Sequence, residues 1–280
     1  MTRTSPARSR VRAGLFTVVF AAVCLLAVSS VVFAARSVEH AKTWVAGVWM
    51  HVVTVDLNAP AITVTPAVSR KGIGSSESFR SMMRRTRPAA AINGTFFDTR
   101  TLKPTGDIVI GGRLLRRGEL GVAIGVNAGR FVSFIPSRHS DLYCWSDYES
   151  VMVAGPTLIA QGRIAVVPKD EGFRSRVHFS KHCRAAVGLT SANKLVFVTT
   201  LRSTYYSRVA KAMKAMNCVE AAVLDGGSSI GLYCHGKLIS NPKRGMTNCL
   251  LVYDDLYAFQ RRRSALCPGN YDWGRLSQGS

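Results

Sequence analysis

The chain has 280 residues, 47% of them hydrophobic and 19% charged, which excludes a disordered or fibrous protein and suits one large domain or two small ones. Lys and Arg number 37 against 16 Asp and Glu, a net charge of +21, and only four of those bases precede Arg36, so the remainder still carries +17. This excludes an acidic solvating chain and fits an anionic partner, although a basic charge serves solubility equally well.

Residues 1–14 are basic and free of acids, and Leu15 to Ala35 are uninterrupted by charge. About 20 apolar residues suffice for a bilayer-spanning helix, and Val32-Phe33-Ala34 offers a small-x-Ala cleavage site. The segment 1–35 therefore reads as a signal peptide or an uncleaved N-terminal membrane anchor. Its basic flank favours a cytoplasmic N-terminus, which places residues 36–280 outside the cytoplasm, periplasmic or secreted. Cys24 lies within this segment. The other six cysteines (Cys144, Cys183, Cys218, Cys234, Cys249 and Cys267) permit up to three disulfides in an exported protein. No C-x-x-C pair is present.

The body, 36–260, reads as many strands and few helices. Val48 to Asp56 alternates and Ile62 to Thr65 continues the pattern after a turn. Ser75 or Ser76 caps a short helix through Arg85, with Phe79, Met82 and Met83 inward. Ala89 to Ile92 is a strand running into Asn93-Gly94. Ile108–Ile110 with Arg113–Leu115, and Leu158-Ile159 with Ile164, form hairpins. Strands follow at 122–126, 131–135, 184–189 and 195–199. An amphipathic helix spans about Tyr205 to Asn217, with Val209, Ala212, Met213 and Met216 as its apolar stripe. Strands at 219–224, 232–233, 238–239 and 249–253 complete the body. Residues 261–280 form a basic, Pro/Gly-containing tail expected to pack loosely. Without regular βαβ alternation, the fold class is α+β: a strand-rich mixed sheet domain with two or three helices.

Three motifs carry chemistry. In Asn93-Gly94-Thr95-Phe96-Phe97-Asp98 a strand ends on an amide, two aromatics and a carboxylate, which suits orienting a hydroxylated ligand; an ordinary Asn-Gly turn accounts for the same residues. Arg184 opens an apolar strand, where a guanidinium forks onto a phosphate or carboxylate or serves as a structural ion pair. In Leu224-Asp225-Gly226-Gly227-Ser228-Ser229 a buried strand delivers Asp225 into a glycine-rich turn. The backbone amides of Gly226, Gly227, Ser228 and Ser229 can converge on an anion. Asp225 beside that anion can carry a raised pKa and donate a proton.

Gly227-Ser228-Ser229-Ile230-Gly231 matches a nucleophile elbow, but no helix follows and no Asp lies between Ser229 and His235, so an α/β-hydrolase is rejected. The six histidines show no tight metal spacing, and His178 and His182 read as surface or supporting residues. Arginine clusters at 80–87, 113–117 and 261–263 lack a nucleic-acid-binding signature. No metal, cofactor or nucleic-acid partner is expected.

In order, Asn93 to Asp98, Pro104-Thr105-Gly106-Asp107, Ala154-Gly155-Pro156, Arg184 to Gly188, Leu224 to Ser229 and Arg244-Gly245-Met246-Thr247-Asn248 resemble the phosphodiester glycosidase family from about Ala91 to Val252. Thr200-Leu201-Arg202 stands where animal-type members have Asp-Gly-Arg. Arg208 replaces a Glu, and Val223 an Asn, which resembles a divergent bacterial branch. The resemblance implies hydrolysis between an anomeric carbon and a phosphodiester oxygen. On it, Arg184 and the 226–229 amides hold phosphate. Asp225 and Asp98 are the two carboxylates, and Asn93 orients a sugar hydroxyl. The implied partner is a sugar-phosphodiester or anionic glycan, with the membrane as a second partner if segment 1–35 is uncleaved. The same residues also suit a non-catalytic binder of anionic envelope polymer, or a metal-assisted phosphodiester hydrolase using Asp98 and Asp225.

Overall fold

The computed structural model describes residues 36–118, 121–136 and 144–268. In chain order its strands are β1 (Val38–Val45), β2 (Val48–Asp56), β3 (Thr63–Val68), β4 (Ala90–Asn93), β5 (Ile108–Ile110), β6 (Arg113–Arg116), β7 (Val122–Asn127), β8 (Val132–Pro136) and β9 (Tyr148–Ala154). They continue with β10 (Thr157–Ala160), β11 (Arg163–Ile164), β12 (Ala185–Thr190), β13 (Lys194–Thr200), β14 (Cys218–Leu224), β15 (Leu232–Cys234), β16 (Lys237–Ser240) and β17 (Asn248–Tyr253). The α-helices are α1 (Phe79–Thr86), α2 (Tyr206–Ala215) and α3 (Leu256–Arg262).

These strands build three sheets, ordered β1-β2-β13-β12-β14-β10-β11, β16-β15-β4-β17-β3 and β6-β5-β9-β7-β8. Every ladder among them is antiparallel. The strand-rich α+β expectation holds.

The central strands are buried on both faces, which is why they read as near-continuous apolar runs. Successive side chains point to opposite faces. On β12 and β14, Ala185, Val187, Ala222 and Leu224 enter a core shared by all three sheets, with Ile92, Leu250, Ile124 and Met152. The alternate residues Ala186, Ala221 and Val223 face a second core roofed by Val209, Ala210 and Met213 of α2. Burying each such Val or Met contributes about 1.5–3 kcal/mol. A third core under α1 holds Phe79, Met82, Tyr253 and Leu266.

Several details differ from expectation. The cap of α1 is Ser78, whose Oγ accepts from the Ser81 amide at 3.2 Å, rather than Ser75 or Ser76. Strands β1 and β9 were not anticipated. The start of the tail does not pack loosely: α3 is capped by Asp255, and Leu266 and Cys267 are buried. The six cysteines, which in sequence permit up to three disulfides or a reduced core set, are all free. Cys218, Cys234, Cys249 and Cys267 are buried as small apolar groups among the core side chains. Among the described residues no helix is long and apolar enough to cross a membrane. The predicted leader 1–35 lies outside them.

Candidate active site

The site forms where the end of β14 meets the end of β4. Ala185 of β12 pairs with Leu224 of β14, so Arg184 and Asp225 emerge side by side from neighbouring strands. The Asp225 amide donates to the Gly94 carbonyl at 3.1 Å, tying the two sheets together. Gly94 has no room for a side chain, since a Cβ there would sit 1.7 Å from Asn248 Oδ1. That oxygen accepts from the Thr95 amide at 2.9 Å. The Asn-Gly pair is therefore a close crossing of chains rather than a simple turn.

Asp225 is the centre. It is 7% exposed, and its Oδ2 lies 2.7 Å from Arg244 Nη2. Arg244 Nε donates to Ser229 Oγ at 2.6 Å, and the Ser229 hydroxyl and Gly226 amide in turn bond the carboxylate. Burial raises the Asp225 pKa above the ordinary carboxylate value, although Ser229, Arg244 and Gly226 pull the other way. The Arg244 guanidinium lies 4.4 Å over the Phe97 ring. With 33% of its side chain exposed, it faces both the carboxylate and solvent. Arg244 was quoted only as part of a family motif, and its role was not read from sequence.

The expected nest does not form as imagined. Gly227, at φ +60°, adopts the left-handed backbone that glycine tolerates. Its amide donates to the Cys183 carbonyl, however, and that of Ser229 to the Gly226 carbonyl. Gly226 donates to Asp225. Ser228 is exposed, and its carbonyl accepts from the Lys243 amide at 2.8 Å. The turn holds the Asp225 carboxylate rather than a ring of free amides for an external anion.

Arg184 is also placed differently. It is buried, and its guanidinium donates to the carbonyls of Thr204 (3.2 Å), Val177 (3.0 Å) and Ser180. It lies 4.1 Å over the Tyr206 ring. Burial lowers its pKa. Held in this way through Nε and Nη2, Arg184 braces the loop before β12.

Asn93 is fully buried; Nδ2 donates to the Asp225 carbonyl at 2.7 Å, and Oδ1 accepts from the Gly231 amide at 3.1 Å. It fixes the two strand ends and has no free group for a sugar hydroxyl. Asp98 is exposed. Its Oδ1 accepts from the amides of Thr101 (2.7 Å) and Arg100 (3.0 Å) and from Thr101 Oγ1. The Thr101 amide leads in lowering its pKa. That is an Asx-turn environment, unlike the buried setting of Asp225.

Beside Arg184 lies an aromatic wall that joins Phe96 of the first motif to His178, Phe173 and Tyr206. His178 Nδ1 is 3.0 Å from Tyr206 Oη, and its ring meets Phe96 and Phe173 edge-on at 5.3 and 5.2 Å. Burial, then the Arg184 charge, lowers the His178 pKa to about 4, so the imidazole is neutral at pH 7. Burial pushes the Tyr206 phenol up to about 12. Of the departures from the family motifs, Val223 packs in the core under α2. Thr200 Oγ1 accepts from the Arg184 amide at 2.8 Å. Arg208 is exposed on α2.

At the meeting of antiparallel sheets a buried carboxylate is clamped by a half-open arginine, the kind of perturbed, specifically paired group that clusters at functional sites. Residues 86–253 match the family model for phosphodiester glycosidases, and the chain belongs to that family as an enzyme of its class. The fold is similar to the catalytic domain of zebrafish N-acetylglucosamine-1-phosphodiester alpha-N-acetylglucosaminidase, auto-inhibited by its pro-peptide. There the TM-score is 0.62 and the identity 21%, over 79% of this chain and 85% of that one. It is also similar to a hypothetical protein from Synechocystis, with TM-score 0.60 and 17% identity, covering 77% of this chain and 61% of that one. At such identities the likeness is one of fold. No curated protein matches the sequence.

Proposed function

We propose that this phosphodiester glycosidase is an exported hydrolase that cleaves sugar-1-phosphodiesters, with Asp225 as its central carboxylate. Water adds to the anomeric carbon, the bond from that carbon to the phosphodiester oxygen breaks, and its electron pair leaves on the phosphate. The leaving group is already anionic, so charge stabilisation matters more than strong acid assistance. The observation that carries the reading is the Arg244–Asp225–Ser229 cluster. It joins a carboxylate of raised pKa to a cation with one face toward solvent. In this reading Asp225 handles the proton or the developing positive charge at the sugar. Arg244 meets the phosphate, while Arg184 and Asn93 hold the frame.

Export is supported by the acid-free basic start and the uncharged run from Leu15 to Ala35. Uncleaved, that run would tether the domain of residues 36–260 to a membrane. The test is sugar release by the purified protein from a panel of sugar-1-phosphodiesters, N-acetylglucosamine among them, with and without chelator. Release that survives chelation and vanishes in Asp225→Asn is expected. Folded protein that cleaves no panel member overturns the reading in favour of an anionic-polymer binder, and release abolished by chelator favours the metal-assisted hydrolase.

A further inference from the structure

Helix α1 carries a basic face that the site does not use. Arg80 and Arg84, at i and i+4, are exposed on one side of the helix, and Arg87 is exposed just past its end, at the C-cap in a left-handed backbone (φ +47°). With Met83 beneath and Tyr233 and Leu238 of the β15–β16 hairpin opposite, they line a groove of about 480 Å³. No acid is among its lining residues. The nearest helix-flanking carboxylate, Glu77, is taken by Arg85 at 2.7 Å. Like charges at this spacing repel. The helix dipole favours cations in the last turn, but Arg80 sits in the first, where they are disfavoured. Helix stability does not account for the row.

The Arg80 end of the groove lies toward the site. Glu77, just before α1, bridges Met246, two residues from Arg244. A Cβ on Gly231 would lie 3.1 Å from the Phe79 ring, beside the Ser229 turn. Strand β4 ends at the site with Asn93, and β15 pairs antiparallel to it from Leu232↔Ile92 to Cys234↔Ala90. The hairpin tip at Gly236 and the end of α1 therefore lie away from the site. Along α1, Arg84 lies about 6 Å beyond Arg80 and Arg87 follows at the helix end, so the cations lead outward from the Arg244 side.

We propose that this groove is an extended subsite for successive phosphates of a phosphodiester-linked glycan, making the natural substrate a polymer rather than a single small diester. The proposal rests on the sugar-phosphodiester reading above. Exposed guanidiniums fork onto phosphate oxygens, and Tyr233 and Leu238 offer apolar contact to the sugars between them.

The test uses the full chain carrying Asp225→Asn to prevent turnover, and a fluorescein-labelled oligomer of six N-acetylglucosamine-1-phosphate repeats, followed by anisotropy. Arg80→Ala/Arg84→Ala/Arg87→Ala is expected to weaken binding about tenfold or more and to lower the salt slope by about two to three. A charge-matched control, Lys194→Ala/Lys211→Ala/Lys214→Ala, is expected to change it less than about threefold. In the Asp225 parent, the groove substitutions should leave kcat/KM on a small methyl phosphodiester unchanged. Unchanged oligomer binding, an equal loss in the control, or an equal loss of small-diester turnover overturns the subsite. A single-stranded DNA of equal charge that binds as tightly and weakens as much also overturns it, in favour of a nucleic-acid surface. If the parent cleaves no small diester, the activity reading fails, while the binding comparison still decides the groove.

Discussion

Arg244 Nη2 and Asp225 Oδ2 lie 2.7 Å apart, joining residues 19 positions apart in sequence at the meeting of two sheets. Asp225 is 90% removed from solvent around its side chain while Arg244 is a third exposed, so the pair is asymmetric. The arginine can exchange partners with a substrate, and the carboxylate cannot leave. Arg244→Gln is expected to lower kcat/KM on a sugar-phosphodiester by about 10²–10³, the cost of losing one donor to developing negative charge. Arg244→Lys should recover little, because a lysine cannot bond Ser229 and Asp225 together as the fork does. Steady-state kinetics of both variants check this, and parent-like rates would remove Arg244 from the site.

The raised pKa of Asp225 carries a stability consequence. In the folded state the carboxyl holds its proton to higher pH than in the unfolded chain. Folded protein therefore binds more protons between the ordinary value of 3.8 and the raised one. Stability falls as pH rises through that window and stays lower above it. Asp225→Asn, neutral and nearly isosteric, is expected to abolish about 10²–10⁴ of the rate while leaving Tm at pH 7 no lower than the parent's. Thermal melts decide it: a clear drop in Tm would mean that the ion pair with Arg244 outweighs the burial of the charge.

Arg184 tests the difference between a strut and a ligand. Its guanidinium serves the carbonyls of Thr204, Val177 and Ser180 and stacks on Tyr206. Arg184→Met leaves those carbonyls without their donor, at a cost of about 3 kcal/mol, or roughly 6–12 °C in Tm for a chain of this size. A phosphate ligand would behave otherwise, raising KM with Tm unchanged. Calorimetry together with KM separates the two.

How far the sequence carried this picture depended on whether a residue's partners were local. Strands β12, β13 and β14 were legible because burial on both faces writes a near-unbroken apolar run, and β2 because its buried and less buried residues alternate. Strand β1 was not, since VEHAKTWV is a largely exposed edge whose order comes from pairing with β2. In β9 the polar start Tyr148-Glu149-Ser150 hides the buried half that follows. Asn93, Arg184 and Asp225 were found as polar groups ending apolar strands, and they do meet. Their expected roles shifted because the partners of Asn93 and Arg184 are backbone carbonyls and amides, which no side-chain pattern reveals. Arg244 sits in a loop and His178 ends a short 3-10 turn (Arg176–His178), and their local sequence gives no sign of the carboxylate or phenol they reach. The cysteines misled because a buried thiol and half of a disulfide look alike in sequence.

His178 gives a pH signature opposite to that of Asp225. Its folded pKa of about 4 lies below the ordinary 6.5. The unfolded chain therefore binds the extra proton between those values, and stability present above pH 6.5 is lost as pH falls toward 4. His178→Phe keeps the edge-on packing against Phe96 and Phe173 without a titrating group. Its Tm should fall less than the parent's between pH 6.5 and 4. Parallel melting profiles for the two proteins would show that His178 is not buried as neutral imidazole in solution.

Gly94→Ala probes the crossing that sets Asp225 in place. The new Cβ would lie 1.7 Å from Asn248 Oδ1 and 2.9 Å from the Asn248 carbonyl oxygen, which accepts from the Gly94 amide at 3.1 Å. The neighbour cannot swing away freely, because the same Asn248 oxygen caps the Thr95 amide and its Nδ2 donates to Thr247 Oγ1. The clash must push β4 and β17 apart, at a cost of about 2–3 kcal/mol. The Gly94 carbonyl also receives the Asp225 amide, so the displacement carries into the site. Activity should therefore fall by more than the loss of folded protein explains, measured as kcat per folded molecule from circular dichroism and turnover on the same sample. A variant with lowered Tm but parent-like kcat would show that the Asp225 turn holds its geometry without the link from β14 to Gly94.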